Sequence, residues 1–216
     1  MEPKFTVSEV FNTSWKYTKS QIWVLAGLLI GYMILSCIIS VFSMPAQGSI
    51  KGGIITYLIS LVIQSLFTLG YTKNLLQTMD GEEPQFSAYG QQARKLITAI
   101  VAALLYSIVI AVGLIFLIIP GLYLVIRLQF YLLLIVEEDC GIIESLQKSW
   151  ELTRGQAMPL FALLFASICI LIVGVILFFI GIFVAIPLVA MMQCYAFRKL
   201  NTISKTTEEI QSESIH

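Results

Sequence analysis

No charged side chain interrupts the chain from Ile22 to Phe42, Ile54 to Tyr71, Leu96 to Ile119, Met158 to Ile180 or Ile182 to Phe197. A sixth apolar run, Leu122 to Val136, carries one charge, Arg127. A helix rises about 1.5 Å per residue and a bilayer core is about 30 Å thick, so roughly 20 such residues cross it. The runs form three blocks, each long enough for two helices. They divide at "SMPAQGSIKGG" in the first block, at Pro120-Gly121 in the second and near Gly181 in the third. The expected fold is therefore an all-α integral membrane protein with six transmembrane helices paired as three hairpins. Composition agrees: 58% of the 216 residues are hydrophobic and 12% charged, against about 45–50% apolar and about 25% charged in soluble domains.

Thirteen basic residues balance thirteen acidic ones, so no positive excess recommends nucleic acid as a partner. Charge placement says more. Under this segmentation Lys4, Lys16, Lys19, Lys73, Arg94, Lys95, Lys148, Arg154, Arg198, Lys199 and Lys205 fall on one side and only Lys51 on the other. Basic loops stay cytoplasmic, which predicts both termini inside a bacterial cytoplasmic membrane and short outer turns. The run after Lys4, Lys16 and Lys19 reads as a retained signal anchor, being longer than a leader's apolar region. Residues 1–200 form one polytopic domain in this reading, and 201–216 a polar, disordered tail. The second spans of blocks two and three are short, which places Pro120, Gly121 and Pro187 at breaks or re-entrant turns that must be shielded from lipid.

"SWKYTKSQ", Ser14 to Gln21, returns as "SWELTRGQ", Ser149 to Gln156, an offset of 135 from Trp15 to Trp150. Glu9 and Glu144 match at that offset, as do Leu25, Leu28 and Leu29 with Leu160, Leu163 and Leu164. Such self-similarity marks repeats. "PQFSA", Pro84 to Ala88, echoes "PKFTV", Pro3 to Val7. The units run about 3–76, 84–136 and 142–200, each a surface helix followed by a span pair in one orientation, a parallel rather than an inverted repeat. On a helix, Val7, Phe11, Ser14, Trp15 and Thr18 share one face, and Ile142, Leu146, Ser149, Trp150 and Thr153 repeat it. These predict amphipathic interfacial helices, with Trp15 and Trp150 at the headgroup boundary and Lys19 and Arg154 reaching anionic lipid.

Catalytic signatures are absent. There is no HExxH, GxSxG or Walker A loop, no carboxylate inside a span and no histidine but His216. Proteolysis, lipase-type acyl transfer, ATP hydrolysis and carboxylate-relayed proton transport are all disfavoured, and the chain reads as a non-enzyme. Cys37, Cys140, Cys169 and Cys194 form no close pair, so no metal or other cofactor is expected. The acids of "DGEE", Asp80 to Glu83, and "EED", Glu137 to Asp139, read as solvated helix ends rather than cation ligands.

Arg127 is the exception. Burying it in a span costs roughly 2.5–3.5 kcal/mol or more, so it needs a partner. Two readings stay open. Counted from Leu122 it lies about two turns, roughly 8 Å, below the outer surface, within snorkelling reach; alternatively, with Tyr123 and Gln129, it contacts a lipid or substrate anion. Carbonyls freed at Pro120 or Pro187 are further candidate partners. Gly27 and Gly31 form a GxxxG, which serves internal helix packing or, less commonly, self-association.

The stretch "IIPGLYLVIRLQFYLLLIVEEDCGIIESLQKSWELTRGQ", Ile118 to Gln156, resembles a superfamily of uncharacterised bacterial membrane proteins. That superfamily includes the membrane domain found with some glycerophosphoryl diester phosphodiesterases. Pro120, Gly121, Tyr123, Arg127, Ser149, Trp150, Thr153 and Gly155 carry the likeness, and Gln156 stands where an Asn is expected. The resemblance implies a multi-helix membrane domain without an established activity; the phosphodiesterase barrel and its metal-binding acids have no counterpart here. The expected function is a non-enzymatic module that handles or organises lipids or other amphiphiles, with membrane lipids as partners. The alternatives are a scaffold that binds a protein partner or itself, and a small-solute transporter.

Overall fold

The computed structural model describes residues 4–43, 50–177 and 181–213. Among the described residues it is all helical, without a strand. The helices are α1 (Val7–Ser20), α2 (Ile22–Ser43), α3 (Ile50–Met79), α4 (Ser87–Gln92), α5 (Leu96–Phe116), α6 (Ile118–Leu128), α7 (Tyr131–Glu138), α8 (Ile142–Leu152), α9 (Ala157–Ile176) and α10 (Ile182–Glu213). One 3-10 turn, Ala93–Lys95, joins α4 to α5. Six helical stretches are long and apolar enough to cross a membrane: Ile22–Val41, Lys51–Met79, Ser87–Ile115, Ile118–Glu138, Ala157–Ile176 and Ile182–Thr207.

Local signals explain where the helices begin and end. Thr6 caps α1, its hydroxyl accepting the Glu9 N–H at 3.3 Å, and the Glu144 carboxylate reaches back to the Gly141 N–H at 3.1 Å to start α8. Asp139 closes α7 in the left-handed region, φ 55°. Gly155, φ 75°, turns the chain from α8 into α9 where a side chain would be strained.

Several boundaries differ from the sequence-based expectation. The second block breaks at Leu117, which is extended, and Pro120 sits in the first turn of α6. A helix's first N–H groups have no internal acceptor, so proline is harmless there. The expected single span Leu122–Val136 is two helices separated at Gln129-Phe130. Pro187, expected at a break, lies inside a continuous α10. The expected disordered tail is also helical as far as Glu213, and near its start Asn201 and Lys205 bind Glu138 at the end of α7. The far ends of that tail, of the first unit and of the run to Ile180 lie outside the described residues.

Helices α3, α7 and α10 supply most of the core, through Leu69, Leu75, Leu134, Met191 and Phe197 among others. The Phe130 and Phe197 rings meet at 5.8 Å. Around them α2, α5 and α9 expose apolar side chains such as Ile34, Ile97, Leu104, Phe165 and Ile172, a surface suited to hydrocarbon. Helix α4 rests on α3, α8 on α7 and α1 on α10.

The acidic ends of α3 and α7 are exposed at Asp80, Glu82, Glu83 and Asp139, as expected, and in addition carry ion pairs. Asp80 is bonded by both terminal guanidinium nitrogens of Arg198, and Glu137 accepts from the Nε of the same Arg198 at 3.1 Å. Asp139 pairs with Lys95 at 2.6 Å and Arg94 at 3.3 Å. The Arg198 hydrogen bond holds the Asp80 carboxyl below its usual range, and Lys95 does the same for Asp139. A carboxyl whose folded pKa is depressed adds stability above its unfolded value, about 4, and loses it as pH falls through the lower folded value. Thermal midpoints are therefore expected to show no pH dependence from these pairs between pH 8 and 5, where their stabilisation is fully present, and a decline below about pH 4. Asp80→Asn should lessen that decline; an equal acid response in the variant would remove Asp80 from the account.

Candidate functional site

The Arg127 side chain is 2% exposed. Because α6 begins at Ile118 rather than Leu122, the residue lies roughly 14 Å along the helix from its first residue, not two turns. Its guanidinium turns sideways onto α8, lying 4.3 Å from the Trp150 ring centroid and 5.7 Å from that of Tyr123. The two rings meet edge to face at 5.9 Å. A desolvated cation over an aromatic face gains about 2 kcal/mol. No carboxylate joins the arrangement, and Arg127 Nε has no hydrogen-bond partner among the described residues. Gln129 stands apart from it, its amide donating to the Ile126 carbonyl at 3.0 Å.

The same α8 holds the break between α6 and α7. Ser149 Oγ accepts the Phe130 N–H at 3.1 Å and donates to the Arg127 carbonyl at 3.0 Å. Thr153 Oγ1 is also 3.0 Å from that carbonyl. Backbone groups left open by a broken helix need such partners where water is scarce. The SW…T phrase is therefore an internal joint as well as a surface feature, and this pairing across 19 to 26 residues is what sequence spacing missed.

On α1 the buried face also differs from the expected one. It centres on Val10, Ser14 and Thr18, each 0% exposed, while Phe11 and Trp15 turn outward. Their counterparts Ser145, Ser149 and Thr153 are likewise 0% exposed, and Trp15 and Trp150 are both 39% exposed, so the matched positions sit alike in both helices. Lys19 and Arg154 are exposed. Ser14 and Thr18 face a continuous α10, and their hydroxyls have no partner among the described residues.

Gly27 and Gly31 do not serve internal packing, because a Cβ on either would meet nothing within 4 Å. Close approach occurs elsewhere. A Cβ on Gly121 would fall 2.9 Å from the Leu114 backbone nitrogen, and one on Gly181 would fall 2.6 Å from the Gly174 carbonyl oxygen. Those contacts close α5 on α6 and α9 on α10. Between α2 and α3 a cleft remains instead. One part, of about 380 Å³, is floored by Gly27 and Gly31 and walled by Leu28, Leu35, Ile63, Leu66, Phe67 and Tyr89. Beyond Tyr32 it continues into about 280 Å³ lined by Ser36, Ser40, Thr56, Ser60 and Gln64. Tyr32 stacks on Phe67 at 4.0 Å between the two parts. The remaining polar candidates disperse: Tyr106 stacks on Tyr131 at 4.9 Å, and Tyr195 donates to Glu9 at 3.0 Å. Among the described residues no three His, Cys, Asp or Glu side chains gather as metal ligands.

Comparison with known proteins adds one finding. A family described as a domain of unknown function, DUF7847, matches residues 86–207, more than half of the chain. The chain belongs to that family. No curated protein and no solved structure matches it. The DUF7847 region opens just before α4 and ends within α10, so it contains the Arg127 and Trp150 contact and both glycine closures. Helices α2 and α3 lie outside the matched region, and their cleft enters it only at Phe86 and Tyr89.

Proposed function

We propose that this DUF7847 protein is a non-catalytic membrane module that holds or organises lipids or other amphiphiles, with the occupant's chain lying in the cleft between α2 and α3. The cleft carries this reading. It runs between two helices apolar enough to span a bilayer, its floor is bare at Gly27 and Gly31, and its lining passes from hydrocarbon to hydroxyl and amide groups. An amphiphile has that same gradient, and apolar pockets with a few polar groups are the usual form of small-molecule sites.

The chain as a whole is three units of one short helix and two spans, oriented alike and closed into a ring, with both termini on the cytoplasmic side. The packing of each short helix on the second span of the neighbouring unit supports this, as do the matched burial of α1 and α8 and the distribution of basic residues. Trp15, Trp150, Lys19 and Arg154 then mark the inner headgroup boundary. Membership of the bacterial superfamily that Ile118 to Gln156 resembles belongs to the same proposal. Arg127, clasped by Trp150 and Tyr123, holds α8 in place rather than meeting the ligand.

The test is native mass spectrometry of protein released from nanodiscs. Wild type and Arg127→Leu are expected to retain a defined amphiphile that Gly31→Leu, whose side chain fills the cleft floor, loses. Equal retention by Gly31→Leu and wild type would overturn the assignment, and loss in Arg127→Leu alone would move the site to the guanidinium.

A further inference from the structure

The cleft reading leaves open which way the ligand lies and what its head is. Ser36 and Ser40 stand four apart on α2, and Thr56, Ser60 and Gln64 follow one another four apart on α3, so each set keeps to one helix face. These five are every serine, threonine and glutamine from Tyr32 to Val41 and from Ile54 to Gln64. All five line the part of the cleft of about 280 Å³. The other faces of the same turns meet hydrocarbon: Met33, Ile34 and Ile38 on α2 and Ile55, Leu58 and Ile59 on α3 are exposed.

Polar side chains within a span turn from lipid onto a neighbouring helix, where they find partners. Here they turn onto open space instead. Thr68, Ser107 and Ser167 each donate to the carbonyl one turn back at 2.8 Å, the usual resort of a hydroxyl in a helix; among the described residues the Ser36 and Ser60 hydroxyls make no such bond. Charge narrows what could meet them. No charged side chain lines either part of the cleft. Lys51, the basic residue nearest in sequence, precedes Thr56 by five positions and Ser60 by nine, which sets it roughly 140° and 180° away around the helix. A charged head would therefore lie without a counter-ion in a poorly solvated place, whereas hydroxyl and amide groups are matched by the lining. The apolar part, about 380 Å³, is near the low end for ligand pockets, about 300–1,000 Å³, and suits one chain.

We propose that the cleft takes a single-chain amphiphile with an uncharged head of hydroxyl or amide groups, the head among Ser36, Thr56, Ser60 and Gln64 and the chain running past Tyr32 toward Gly27 and Tyr89. Because α1 adjoins the start of α2 and these serines lie toward its end, the ligand stands with its head toward the membrane face opposite α1. This inference rests on the cleft holding the ligand.

Saturable binding of two lipids that share one acyl chain tests it, in phosphatidylcholine nanodiscs: 1-monooleoylglycerol with a diol head, and 1-oleoyl lysophosphatidate with an anionic head. Wild type is expected to bind the diol at least about tenfold tighter. Equal or tighter binding of lysophosphatidate, or no binding of the diol, would overturn the proposal. Thr56→Val with Ser60→Ala and Gln64→Leu, which remove the polar atoms and nearly keep the shape, should lower diol affinity about tenfold while the thermal midpoint without ligand holds. Unchanged diol binding, or a loss that comes with a lower midpoint, would assign these groups to packing and overturn it. A monoacylglycerol with a diazirine at its chain end is expected to cross-link beside Gly27 and Tyr89; cross-links beside Thr56 would reverse the orientation and overturn it too. Gly31→Leu separates the two readings: if it abolishes diol binding while the polar variant leaves it unchanged, the cleft stands and the head assignment falls. If Gly31→Leu leaves diol binding unchanged, both fall.

Discussion

Trp150→Ala is expected to cost about 2 kcal/mol or more of stability, and Arg127→Met introduced on that background to recover part of the loss. Removing the indole takes away the face on which the guanidinium lies at 4.3 Å, and no carboxylate stands by to replace it. The charge is then buried and bare, the expensive outcome for an ion at membrane depth. Methionine fills a similar volume without a charge, so Arg127→Met alone should be neutral or mildly stabilising. A double-mutant cycle by reversible denaturation in a mild detergent isolates the coupling. Additive losses, with Arg127→Met as damaging as Trp150→Ala, would show that the pair does not act as a cation on a ring.

The glycines separate just as sharply. Gly121→Ala and Gly181→Ala are each expected to destabilise by about 1–3 kcal/mol or more, because the new methyl meets backbone atoms that have no room to retreat. Gly27→Ala and Gly31→Ala meet open space and should be neutral or gain up to about 1 kcal/mol from the better helix former. Thermal unfolding of the four variants under one detergent condition gives the comparison. Equal effects at all four positions would mean that the cleft is closed in the folded protein.

Much of this architecture is readable without coordinates, because a long uncharged run has few uses outside a bilayer. Six runs became six candidate spans. What failed were features set by partners distant in the chain. Nothing local to Gln129-Phe130 announces a break, since the groups that make it tolerable, Ser149 and Thr153, belong to another helix. A GxxxG inside α2 suggested packing, while the glycines that bring helices together face each other across turns, Gly113 with Gly121 and Gly174 with Gly181. Both Arg127 and Trp150 stand out in the sequence, but one as a solitary charge and the other as an anchor, and only the fold places one upon the other. The cleft was invisible for a related reason: it arises from how far α2 stands from α3, which no residue pattern in either helix records.

The seating of α1 on α10 has a consequence for the order in which the molecule is made. Glu9 is bound by Tyr195 and Lys199, and the Lys4 N–H donates to Gln156. A ribosome therefore releases the first helix long before its resting place exists. Spans can enter the membrane one by one as they emerge, but Val10, Ser14 and Thr18 must wait, uncovered, for the last of them. Nascent chains arrested before Tyr195 leaves the ribosome should leave α1 open to protease while the intervening spans are already protected, and emergence of Tyr195 and Lys199 should close it.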